Sequence, residues 1–148
     1  MGYRSEVAIA IYGPEDAMVP LIAAQRLSAQ SALVVDKDYI ERREYTKNGQ
    51  RWVMISTYYD WVKWYESYPD VQAWRNLLSD IADSCDDTGI AYEFVRIGEE
   101  TGDVETDYVG DVEYYLGVSR SIHLDLPDGT TYSEDQYDNS NALASKSG

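Results

Sequence analysis

Asn48-Gly49 stands between two runs of strand-forming residues, 39–47 and 50–59, and no other feature of the chain narrows its fold as far. Asn and Gly adopt the positive φ angles that a two-residue type I′ turn requires, and that turn matches the twist of an antiparallel strand pair. The tip therefore sets a register, with Tyr45 opposite Trp52 and Arg43 opposite Met54. A lone hairpin is marginal in water, so further strands or helices have to cover it.

The rest of the chain supplies them. Val7, Ile9 and Ile11 alternate with smaller residues before Gly13-Pro14, which predicts a first strand closed by a breaker. Pro14, Glu15 and Asp16 suit the first turn of a helix with Met18, Leu21, Ile22 and Leu27 as its apolar stripe, and Pro20 predicts a kink or a late start. Ser67-Tyr68-Pro69-Asp70 predicts a second helix start, with Asp70 where a capping box places its acid. Val71, Trp74, Leu78, Ile81 and Cys85 then recur at helical steps, Asp80, Asp83 and Asp87 share the opposite face, and Gly89 ends the helix. Residues 90–97 form another strand. From 116 to 126 the apolar residues Leu116, Val118, Ile122, Leu124 and Leu126 predict a last one.

This order points to an α+β fold with two helices on one face of a mostly antiparallel sheet, a ferredoxin-like βαββαβ arrangement with an extra C-terminal strand. The chain has 148 residues, 44% of them hydrophobic, which suits one domain over residues 1–126. The stretch 127–148 is polar and reads as a weakly ordered tail.

Charge carries most of the functional information. From Glu99 to Asp138 twelve carboxylates meet one base, Arg120, so this stretch holds a net −11 of the total −15. Unrelieved like charge raises the energy of a compact state and governs partner choice rather than topology. The net charge argues against direct binding to nucleic acid or to an anionic membrane, since both would repel the chain. The expected partner is a basic protein. Asp103, Glu105, Asp107, Asp111 and Glu113 all occupy odd positions, so in an extended segment they project to one side at ~6 to 7 Å intervals. That spacing resembles phosphates along a nucleic-acid strand. With Glu99 and Glu100 they make up the candidate partner-binding surface; the plain alternative is a solvated acidic loop around Gly102 and Gly110.

Other chemistry is poorly supported. Asp103, Glu105 and Asp107 match the first, third and fifth places of an EF-hand loop, but Tyr108 stands where Gly must turn and Tyr114 where the bidentate Glu belongs. No metal or other cofactor is expected. His123 with Ser119, Ser121 and Asp125 along one strand face does not make a triad, whose members have to converge from separate elements. Cys85, the only cysteine, falls on an apolar helix stripe as a core thiol and permits no internal disulfide. No catalytic residue emerges, and the chain is read as non-enzymatic. A reducing cytoplasm suits it: there is no apolar membrane-length window and no leader pattern. Tyr58, Tyr59, Trp61, Trp64, Tyr65 and Tyr68 crowd the approach to the second helix, as a lid on the core or a protein-contact patch.

Gly2-Tyr3-Arg4-Ser5-Glu6-Val7, the aromatics from Trp61 to Tyr65 before Asp70-Val71, and Arg96-Ile97-Gly98-Glu99-Glu100 resemble a loose set of small acidic proteins of bacteriophages and prophages, over residues 2–107. The resemblance implies a phage-encoded protein in the host cytoplasm that acts on a host defence or nucleic-acid enzyme. Together with the charge, it gives the expectation of an inhibitor whose acidic, nucleic-acid-mimicking surface blocks a basic host protein, for example a defence nuclease complex. An immunity or antitoxin-like protein neutralising a basic toxin is the alternative.

Overall fold

Extended segments and two segments of helical period produce the elements of the computed structural model, which describes residues 2–27 and 40–118. In chain order they are β1 (Ser5–Pro14), α1 (Glu15–Arg26), β2 (Ile40–Lys47), β3 (Gln50–Val62), α2 (Pro69–Thr88), β4 (Ala91–Gly98) and β5 (Val104–Val109). The strands form one five-stranded sheet in the order β2-β3-β1-β4-β5, with every neighbouring pair antiparallel. The protein is α+β, with an antiparallel sheet and two helices.

The hairpin has the expected register: Tyr45 pairs with Trp52 and Arg43 with Met54. Asn48 (φ 53°) and Gly49 (φ 78°) supply the left-handed turn. Val7, Ile9 and Ile11 of β1 sit in the middle of the main core with Val53 and Ile55 of β3 and Tyr92 and Phe94 of β4. Met18 and Ile22 of α1 and Trp74, Leu77, Leu78 and Ile81 of α2 close over the same face. Each such side chain, removed from water, contributes about 1.5 to 3 kcal/mol. Both helices therefore lie on one side of the sheet.

Several expectations need correction. The additional strand is Val104–Val109, beside β4; residues 112–118 carry no strand, and 119–126 lie outside the described residues, as do His123, Ser119, Ser121, Asp125 and the stretch 127–148. Helix α1 starts directly after Pro14 and continues through Pro20, which faces solvent where its ring and missing N–H disturb no packing. Leu27 is the C-cap and is almost fully exposed. At α2 the N-cap is Tyr68, with Pro69 in the first turn and no capping side chain; Asp70 instead accepts from the N–H of Val71. Cys85 is only half-buried, because the buried stripe of α2 runs through Leu77 and ends at Ile81. Gly89 (φ 76°) caps that helix, its N–H donating to the Cys85 carbonyl at 3.0 Å.

The opposite face of the sheet is covered differently. Gly110 (φ 88°) turns the chain, and the following segment packs Val112 and Leu116 against Ala10, Tyr12 and Ala91. Glu93 of β4 is completely buried there. The Tyr12 hydroxyl donates to it at 2.5 Å, and the N–H groups of Tyr115 and Leu116 donate to its two oxygens at 3.1 and 2.7 Å. The same Tyr12 oxygen accepts from the Glu113 N–H at 2.7 Å. A buried carboxylate without a cation survives only when hydrogen bonds replace its water. Here they all come from one buried tyrosine and one crossing strap.

Candidate functional site

β5 runs antiparallel to β4 with Arg96 opposite Glu105 and Phe94 opposite Asp107. Alternation puts Glu105 and Asp107 on one side, as expected, and it is the side that carries the helices. Arg96 binds Asp103 at 2.7 Å and Glu105 at 3.0 Å, and Arg75 of α2 reaches Glu105 at 3.2 Å. The Tyr3 hydroxyl donates to Asp103 at 2.6 Å, and the Tyr92 hydroxyl to Asp107 at 2.5 Å. A Cβ at residue 98 would collide with the Asp103 carboxylate and the Tyr3 hydroxyl, so Gly98 is what lets this network close. The carboxylates in turn act on their partners. Hydrogen bonding to Asp103 raises the Arg96 and Tyr3 pKa values, and burial, reinforced by Asp107, raises that of Tyr92.

The ladder divides at Gly110. Glu113 lies in the strap over the opposite face, where it pairs with Lys47 at 2.5 Å and raises the lysine's pKa. Asp111 is exposed and forms no ion pair with any described residue. Glu99 accepts from the Arg4 N–H at 2.7 Å, and the Glu100 N–H donates to the Tyr3 hydroxyl at 3.1 Å. Of the seven expected residues, Asp103, Glu105 and Asp107 come together and are bound to Arg96, Arg75, Tyr3 and Tyr92. They do not form a continuous solvent-facing row with Asp111 and Glu113.

A continuous acidic row exists on α2. Asp80, Asp83, Asp86 and Asp87 are all exposed and form no ion pair with a described residue. The last turn of α2 contains no base. The helix dipole places partial negative charge at that end, so aspartates there are disfavoured by ~0.3 to 1 kcal/mol each. Spread over eight residues at ~1.5 Å rise, the four acids carry about one charge per 3 Å of axis. Duplex DNA carries one per ~1.7 Å, and one strand about half that density. Acids at the wrong end of an amphipathic helix were the available sequence signal.

The aromatic cluster splits into two populations. Tyr59 and Trp64 pack against the main core, and the Trp64 ring lies 6.0 Å from that of Phe94, tilted by 40°. Tyr58 and Trp61 are 57% and 48% exposed. The residues after Trp61 wall a cleft of about 240 Å³ lined by Tyr59, Val62, Lys63, Trp64, Asp70, Val71 and Trp74. Among the described residues no group of three or more His, Cys, Asp or Glu side chains is arranged to hold a metal ion, and no helix is long and apolar enough to cross a membrane.

These features define an acidic α+β protein with an unpaired aspartate row on one helix and an exposed aromatic pair at one end of its sheet. Comparison with family models, with curated proteins and with solved structures finds no match to the chain.

Proposed function

We propose that the protein is a non-enzymatic inhibitor whose acidic surface mimics nucleic acid and occupies the basic nucleic-acid channel of a host protein, such as a defence nuclease complex. The observation that carries this reading is the row Asp80, Asp83, Asp86 and Asp87, which no described base neutralises and whose last two members, in the final turn of α2, the helix dipole opposes. An arrangement that costs stability at the helix end and forms no ion pair with a described residue is accounted for by an external basic partner. The paired acids Asp103, Glu105 and Asp107 add to the field but are committed to the fold. A phage origin and the host cytoplasm are the setting, supported by the resemblance of residues 2–107 to small acidic phage proteins. The βαββαβ element order with both helices on one face supports a ferredoxin-like arrangement to which β5, beside β4, is added.

The test is affinity capture from host lysate with and without excess duplex DNA, using the native chain and a variant with Asp80, Asp83, Asp86 and Asp87 changed to Asn. The captured protein should bind nucleic acid, be displaced by DNA, and be lost with the Asn variant. Capture that neither DNA nor the Asn variant diminishes rejects mimicry.

A further inference from the structure

Trp61 has a backbone that its side chain disfavours and an exposure that its chemistry disfavours. Its φ is 63°, in the left-handed region that costs a bulky residue energy and persists only when its surroundings impose it. The cause is a β-bulge. Val7 pairs with Tyr59 and Ser5 with Val62, so β3 spends one more residue than β1 over the same step. Without the extra residue, alternation would send Trp61 to the core side that Tyr59 occupies. With it, Val62 takes that side and Trp61 is displaced outward, 48% exposed. The Arg4 guanidinium donates to the Trp61 carbonyl at 3.2 Å and holds the bulge in place.

The surroundings are anionic. Tyr58, 57% exposed, donates its hydroxyl to the Glu6 carboxylate, which pushes the phenol pKa up to about 12. Asp60 precedes Trp61, and Glu99 accepts from the N–H of the same Arg4 that grips the bulge. Among the described residues the bases of this end are Arg4, Lys63 and Arg96, the last bound to Asp103 and Glu105, against Glu6, Asp60, Glu99 and Glu100. An exposed indole and phenol among carboxylates fit one kind of occupant, an arginine-bearing segment. A guanidinium stacks on an aromatic face while its N–H groups bind carboxylates, and it sheds water more readily than an ammonium.

We infer that Trp61 and Tyr58 anchor a second docking surface, at the start of β1 and so at the opposite end of the sheet from the α2 C-terminus beside Pro14, and that arginine side chains of a basic partner stack there. The inference rests on the basic-partner reading and adds a second point of contact, apart from the α2 aspartates, and the side chains that make it.

The experiment measures binding of a deca-arginine and a deca-lysine peptide at low ionic strength by titration calorimetry, to the full chain and to Trp61→Gly and Tyr58→Ala variants. Gly adopts the left-handed conformation freely, so Trp61→Gly should keep or raise Tm. It should weaken deca-arginine about tenfold and deca-lysine by less than about threefold, as expected for loss of a stacked aromatic anchor. Tyr58→Ala should shift the arginine preference in the same direction. A drop in Tm on Trp61→Gly with an unchanged arginine-to-lysine ratio would make Trp61 a structural residue and overturn the anchor, leaving the basic-partner reading in place. If the unaltered chain binds neither peptide, the basic-partner reading itself falls, and the anchor with it.

Discussion

Tyr12→Phe removes a single oxygen from the buried clasp over the sheet, and its consequences follow from the geometry. Tyr12 is fully buried, and its hydroxyl makes two of the contacts that tie the strap down: donation to Glu93 at 2.5 Å and acceptance from the Glu113 N–H at 2.7 Å. A hydrogen bond to a charged acceptor contributes ~1.5 to 3 kcal/mol net, and an amide left half-paired near the surface costs about 1 kcal/mol more. The expected loss is about 2 to 4 kcal/mol, or ~10 °C in Tm for a chain of this size. Urea unfolding at neutral pH measures the global loss. Amide exchange measures where it falls: Glu113, Tyr115 and Leu116 should exchange faster, while the β1 and β3 amides hold their relative protection. A loss below ~0.5 kcal/mol with unchanged exchange at those three amides would refute the reasoning, because the apolar contacts of Val112 and Leu116 would then suffice. Alkaline pH gives a second readout. Burial, then the bond to Glu93, raises the Tyr12 pKa well above its usual value. An acid kept protonated in the folded state but ionising near pH ~10 when unfolded adds stability that is complete below pH ~10 and disappears as pH rises toward the folded value. In that window Tyr12 alone makes stability fall by ~1.4 kcal/mol per pH unit, and the Phe variant should be shallower by that amount. Equal slopes would refute the assignment.

Further outcomes can be measured alongside. Trp74→Ala should cost ~3 to 5 kcal/mol in urea unfolding, since Trp74 is 2% exposed between α2 and the sheet. Gly49→Ala should cost about 1 kcal/mol through its left-handed φ alone, with nothing within 4 Å for the added methyl to strike; a Gly49→Asn variant should recover part of that loss. Changing Asp86 and Asp87 to Asn should raise Tm at low salt by relieving ~0.3 to 1 kcal/mol each in the last turn of α2, and the gain should shrink in high salt. A variant no more stable than the parent at low salt would mean that the aspartate row carries no strain.

Local signals determined much of this protein before any tertiary contact was known. Asn48-Gly49 specified the hairpin and its register, because a type I′ turn admits few residues and leaves no freedom in the pairing that follows. The period of Val71, Trp74, Leu78 and Ile81 specified α2 and its buried face, and Gly89 its end. Alternation correctly put Asp103, Glu105 and Asp107 on one side, but could not say which side of the sheet that was. Only β4–β5 pairing, which brings Arg96 of the neighbouring strand and Arg75 of α2 against them, decided that these acids would be bound within the fold. The strand at Val104–Val109 was obscured because its alternation puts carboxylates, not apolar residues, on the side that carries the helices; Val104, Thr106 and Tyr108 take the other side, and the partners of Glu105 and Asp107 are arginines and a tyrosine. Glu93 in an ordinary strand pattern gave no hint of burial, since the donors that make it tolerable come from Tyr12 and from the strap beyond Gly110. Trp61 was one of six crowded aromatics until a single extra residue in β3, visible only against β1, turned it away from the core. Sequence specifies what neighbours along the chain do to one another; the fate of a charge or an aromatic ring depends on which distant groups the fold brings to it.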